Sequence, residues 1–90
     1  MRYTDELDTL RTARDRLRRR IAERLAMEAD APLSEHWLTA ADATIEAWER
    51  EGEEAQDQRA FRPLGPLQAL LADHAALVER IADALDRRLS

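Results

Sequence analysis

Large apolar side chains recur along this chain at intervals of three and four residues, and nowhere do they alternate with polar residues over the length of a β-strand. Ala, Glu, Leu and Arg together make 54 of the 90 residues, a bias typical of long helices, whereas Val, Ile and Thr total only nine. The sequence therefore predicts a single all-α domain over residues 1–90. We expect a three-helix bundle, or a long helical hairpin with a docking helix, with coiled-coil-like packing.

Capping and helix-breaking residues indicate where the helices begin and end. Thr4 and Ser34 are suitable N-caps, Pro32 prevents the first helix from continuing, and Pro66 suits the first turn of the third. The predicted helices cover about residues 4–29, 35–51 and 66–89, with a linker at about 52–65.

Two polar residues interrupt the apolar stripes. The stripe of the first helix is only about 80° wide and contains Arg14, and the stripe of the third is about 120° wide and has His74 at its centre. If the helices run up, down and up, these two residues share a level with Glu46 or Glu49 of the second helix. The pattern predicts a polar layer that fixes register and oligomeric state. The alternative is that Arg14 extends to solvent and that His74 is a core histidine whose hydrogen bonds are satisfied.

The apolar content is low for a chain that folds alone. Leu, Ile, Val and Phe come to 18 of the 90 residues, and a chain of this length buries a limited share of its surface. We therefore expect a homodimer rather than a monomer. The predicted interface anchors are two tryptophans on one face of the second helix and the stripe of the third, namely Trp37, Trp48, Leu67, Leu71, Val78, Ile81 and Leu85.

Charge is distributed unevenly along the chain. All 14 basic residues are Arg, seven of them between Arg11 and Arg24, while residues 31–60 carry eight acidic residues against two Arg. Because these arginines surround the first helix and the whole chain has a net charge of −5, we expect them to pair with carboxylates of the same or a second copy. Binding to nucleic acid is the alternative, with possible anion contacts at Arg11, Arg18, Arg19 and Arg20.

Little in the sequence points to catalysis, a metal or a cofactor. There is no Cys or Lys, and neither of the two histidines follows a glutamate at the spacing of a carboxylate-bridged metal site. The chain also lacks a run of 18 apolar residues and an N-terminal signal-peptide pattern, so we expect a soluble, cytoplasmic protein that does not contact membranes. The predicted function is a non-catalytic interaction module, such as a small oligomeric adaptor, chaperone or regulatory subunit.

One enzyme family provides a third hypothesis. The segment Leu10-Arg11-Thr12-Ala13-Arg14-Asp15-Arg16-Leu17, followed by Ile21-Ala22-Glu23-Arg24, resembles the opening helix of the all-helical chorismate mutases, which are dimers of similar subunit length. The resemblance covers about 15 residues and rests largely on amphipathic spacing. It would place a substrate-binding arginine at Arg11, but the second arginine of the family falls at Glu28 and its active-site lysine has no counterpart. We therefore interpret the likeness as convergence and transfer no catalytic residue.

Overall fold

The computed structural model describes residues 6–51 and 65–89. These residues form three α-helices and no strand: α1 (Glu6–Glu28), α2 (Glu35–Arg50) and α3 (Pro66–Leu89). The helices pack against one another, which confirms the predicted all-α three-helix bundle. The helix boundaries agree with the predicted ones to within one residue where they can be compared. Thr4 and most of the predicted linker lie outside the described residues.

An aspartate in the left-handed conformation ends α1. Asp30 has φ 55°, its N–H donates to the carbonyl of Met27 at 3.0 Å, and the N–H of Ala31 donates to the carbonyl of Ala26 at 2.9 Å. This pair of bonds defines a Schellman motif, in which the left-handed position is most often glycine. The chain therefore turns away from α1 two residues before Pro32.

The starts of α2 and α3 are capped in different ways. Ser34 occupies the N-cap position of α2, as predicted, but its side chain makes no capping hydrogen bond, and only its carbonyl accepts from Trp37 and Leu38. At α3 the side-chain oxygen of Gln68 accepts from the N–H of Gly65 at 3.2 Å. This contact is one half of a capping box, and Pro66 follows at the first helical position, where a missing N–H costs no hydrogen bond.

The described residues form two separate apolar core clusters along α1. The larger contains Ile21 and Ala22 of α1, Ala41 and Trp48 of α2, and Leu71 of α3. The smaller contains residues from the start of α1 and the end of α3, namely Leu7, Leu10, Ile81 and Ala84.

The placement of these clusters fixes the direction of α3. Because the start of α1 packs on the end of α3, while Ile21 and Leu71 share the other cluster, α1 and α3 run antiparallel. A bond from Arg87 Nη2 to Glu6 Oε1, at 3.2 Å, joins the same two ends. The up, down and up order assumed for the polar layer is therefore wrong for α1 and α3, since that order would make them parallel.

None of the three described helices combines the length and the apolar character needed to span a bilayer.

Replacing Asp30 by glycine tests the turn after α1. Glycine adopts the left-handed conformation without a Cβ penalty, and the change removes a negative charge from the negative end of the helix dipole. We expect Asp30→Gly to raise the free energy of unfolding by about 0.5 to 1 kcal/mol in urea titrations. Ala29→Gly is the matched control and should lower it, because that residue has no positive φ to relieve. Equal effects of the two changes would contradict the assignment.

Candidate functional site

A buried histidine lies in the seam between the two apolar clusters. His74 of α3 is only 6% exposed, and its Nδ1 atom is buried without a hydrogen-bond partner. Leu71, one turn earlier, belongs to the larger cluster, and Leu77, one turn later, packs against the smaller one. An unpaired buried polar atom costs about 1–3 kcal/mol, so this position weakens the bundle compared with an apolar residue of similar size.

Charged groups of both other helices act on His74. Burial lowers the pKa of its imidazole below the ordinary 6.5, and the positive charge of Arg14 lowers it further. The carboxylates of Glu49, Asp42 and Asp15 act in the opposite direction, but they do not outweigh burial. The uncharged imidazole is therefore the form that the folded bundle favours.

A bidentate ion pair connects α1 to α2 beside this histidine. Arg18 donates from Nε to Asp42 Oδ1 at 2.6 Å and from Nη2 to Asp42 Oδ2 at 2.9 Å, and its Nη2 also lies 3.5 Å from the carbonyl oxygen of Leu38. The hydrogen bond between the two side chains raises the pKa of Arg18 and lowers that of Asp42. Such planar two-point contacts fix geometry more strongly than a single contact does.

Of the residues predicted to form a polar layer, Arg14 and Glu49 act electrostatically on His74, but no hydrogen bond joins the predicted residues in the described part of the chain. Arg14 is half-buried and its Nη2 lies 3.6 Å from Asp15 Oδ1, while Glu46 and Glu49 are exposed on α2. Glu49 and Arg14 influence His74 through their charges, whereas Glu46 is not among the groups that shift its pKa.

Sequence reasoning missed the contact that bridges α1 and α2. It treated Arg18 as a possible anion contact and did not consider Asp42. Counting residues outwards from the short turn between the helices would have found the pair, because Arg18 lies ten residues before the end of α1 and Asp42 seven after the start of α2. These positions are at similar heights in a helical hairpin.

The predicted interface anchors divide into buried and accessible residues. Trp48, Leu71 and Ile81 are buried inside the single chain, where they belong to its core clusters. Trp37, Leu67 and Val78 are half-buried, and Leu85 remains 38% exposed.

The arginines of α1 also divide into two groups. Arg14, Arg18 and Arg24 form ion pairs with carboxylates of the same chain, and Arg24 does so through a 2.8 Å bond from its Nε to Glu28 Oε2. The predicted anion contacts Arg11, Arg19 and Arg20 are exposed, and none of them has an ion pair in the described residues. Glu28, which stands where a chorismate mutase would have its second arginine, is thus the partner of Arg24.

Metal-ligating side chains do not cluster in the described part of the chain, which contains no group of three or more His, Asp or Glu that could hold an ion. Comparison with protein-family models, with curated proteins and with solved structures finds no match.

Removing the carboxylate of Asp42 tests the bridge between α1 and α2. Because both partners are partly exposed, we expect Asp42→Asn to lower the free energy of unfolding by about 0.5 kcal/mol at neutral pH and low salt. Since the folded-state pKa of Asp42 is lowered, the stabilisation is present above its ordinary 3.8 and is lost as pH falls through the folded value. Unfolding curves at several pH values and in 1 M salt measure both effects. Glu46→Gln, which changes an exposed carboxylate on the same helix, is the control, and an equal loss there would contradict a specific bridge.

Proposed function

We propose that this protein is a non-catalytic helical interaction module, a small adaptor, chaperone or regulatory subunit, and that its first partner is a second copy of itself. The observation that carries the proposal is the thinness of the core. Of the ten buried apolar residues that the structure describes, four are alanines, and Ile21 is the one large side chain that is fully buried. A core of this size gives the described helices little stability by itself, and association is a common means of adding to it.

The end of α3 is the most suitable surface for a second copy. Leu85 is exposed and Val78, two helical turns earlier on the same side, is half-buried. In the sequence both lie close to Ile81 and Ala84, which belong to the smaller cluster that holds the start of α1 to the end of α3. A partner that covers this surface would enlarge the weaker part of the core and complete a seam of apolar residues at coiled-coil spacing.

Replacing Leu85 by glutamate tests this surface. We expect the wild-type chain to sediment as a dimer at micromolar concentration, and Leu85→Glu to weaken dimerisation by about 100-fold. Burial of a leucine contributes about 1.5 kcal/mol or more, and each change is counted twice in a symmetric dimer. Sedimentation equilibrium over a range of concentrations measures the effect.

Met27→Glu provides the matched control for that experiment. Met27 is 59% exposed at the end of α1, so the same change is made at another accessible apolar residue. Dimerisation of this variant should equal that of the wild type. A wild-type chain that stays monomeric at all concentrations would contradict the proposed self-association, and a dimer lost only in Met27→Glu would move the interface to α1.

One observation favours a nucleic-acid-associated regulator as the second candidate. Arg11, Arg19 and Arg20 are exposed and make no ion pair in the described residues, so they are available for phosphates. Against this, Asp15 lies between Arg11 and Arg19, and the chain has a net charge of −5.

A salt titration separates the two candidates. We expect no measurable binding of a fluorescent 20-base-pair DNA duplex or of single-stranded RNA at low salt, measured by anisotropy. An affinity that falls steeply as salt rises would instead support the regulator, because each arginine–phosphate contact releases a counterion. In that case Arg19→Gln with Arg20→Gln should reduce the slope by about two, whereas Arg50→Gln on α2 should leave it unchanged.

The proposal includes the absence of catalysis and of a cofactor, and a cytoplasmic location. A direct assay for chorismate turnover tests the chorismate-mutase hypothesis, and turnover that depends on Arg11 would replace the present proposal. Imaging of a tagged chain in its source cell tests the location.

A further inference from the structure

His74 has no role in the proposed interaction function, yet it lowers the stability of the bundle. Its Nδ1 atom is buried without a hydrogen-bond partner among the described residues, and charged groups of α1 and α2 act on the ring. Leucine would fill nearly the same volume without leaving a polar atom unpaired. Because His74 weakens a thin core, its imidazole should have a property that an apolar side chain lacks.

Unlike an apolar side chain, the imidazole of His74 can accept a proton. The positive charge of the protonated ring would interact with Arg14 and Asp15 of α1 and with Asp42 and Glu49 of α2, all of which act electrostatically on His74. Two of these groups are already engaged: Asp42 binds Arg18 at 2.6 Å and Asp15 lies 3.6 Å from Arg14. Glu49 is exposed on α2, so solvent weakens its attraction. A charged His74 would be attracted by Glu49 more than it is repelled by Arg14, but the cost of burying the charge outweighs the attraction of the carboxylates.

We propose that His74 is an acid-operated switch, in which a proton on the imidazole loosens α3 from the hairpin formed by α1 and α2. Loosening separates both apolar clusters, because α3 supplies Leu71 to one and Ile81 to the other. The switch goes beyond the interaction function and does not depend on whether the chain self-associates.

The direction of the pH effect follows from the position of the histidine. Burial lowers the pKa of His74 in the folded state below its ordinary 6.5, so the open state binds the proton more readily. Well above pH 6.5 the imidazole is uncharged in both states, and the bundle keeps its full stability. As pH falls below 6.5 the opening constant should rise about tenfold per pH unit, until the folded-state pKa is reached.

Hydrogen exchange and proton NMR of the full chain test the switch. We expect amide protection in α3, corrected for the intrinsic pH dependence of exchange, to fall as pH drops from 7 to 5, and the His74 ring to titrate below 6.5. In His74→Leu the protection should be higher at pH 7 and should lose this pH dependence, although every carboxylate remains. His36→Gln, which removes the exposed histidine at the start of α2, should keep the wild-type behaviour.

Two charge variants distinguish a switch from an ordinary core histidine. Arg14→Met should raise the pKa of His74 and make opening less sensitive to acid, whereas Glu49→Gln should lower it and make opening more sensitive. A His74 ring that titrates at 6.5 or above, or a fall in protection that persists unchanged in His74→Leu, would overturn the proposal. Opposite shifts of the ring titration in Arg14→Met and Glu49→Gln, together with loss of the acid response in His74→Leu, would support it.

Discussion

The narrow apolar stripe of α1 is the constraint on which the rest of the structure depends. This helix packs along both α2 and α3, but its large apolar residues cover only about 80° of its circumference. Because α2 and α3 both pack on so narrow a stripe, the residues at its edges are neither fully buried nor fully exposed to solvent. Arg14 and Arg18 occupy two of these, and both are half-buried. The polar groups in the seam therefore follow from the geometry of α1, because arginine can place its stem against apolar neighbours and keep its charged end near solvent.

Much of the fold could be predicted because it is encoded by neighbouring residues. Helical spacing and the prolines placed all three helices correctly, and Ser34 was correctly placed at the start of α2. The left-handed Asp30 was not predicted, since aspartate adopts this conformation much less readily than glycine does and no glycine marks the turn. The predicted direction of α3 relative to α1 was also wrong. This direction depends on which of the two clusters the start of α3 packs into, and no local pattern of residues determines that choice.

The candidate site was predictable only in part, for a related reason. His74 and Arg14 stood out because each is a polar residue within an apolar stripe, a property that the sequence shows directly. Asp42 did not stand out, because it lies on the polar face of α2 and gains its importance from Arg18 on another helix. The same distinction holds for the tryptophans. Trp37 and Trp48 share a face in the sequence, but Trp48 is buried and Trp37 only half-buried, a difference that depends on packing against the other helices.

The separation of the core into two clusters gives the two ends of the bundle different strengths. Among the described residues the larger cluster draws on all three helices, whereas the smaller one joins α1 to α3 alone, through four buried residues and an exposed bond between Arg87 and Glu6. An exposed ion pair adds little to stability, so this end should open more readily than the rest. Leu85 and Val78 lie at the same end. A partner bound there would stabilise the weaker end of the bundle. A proton on His74, which lies between the two clusters, would weaken the packing of both.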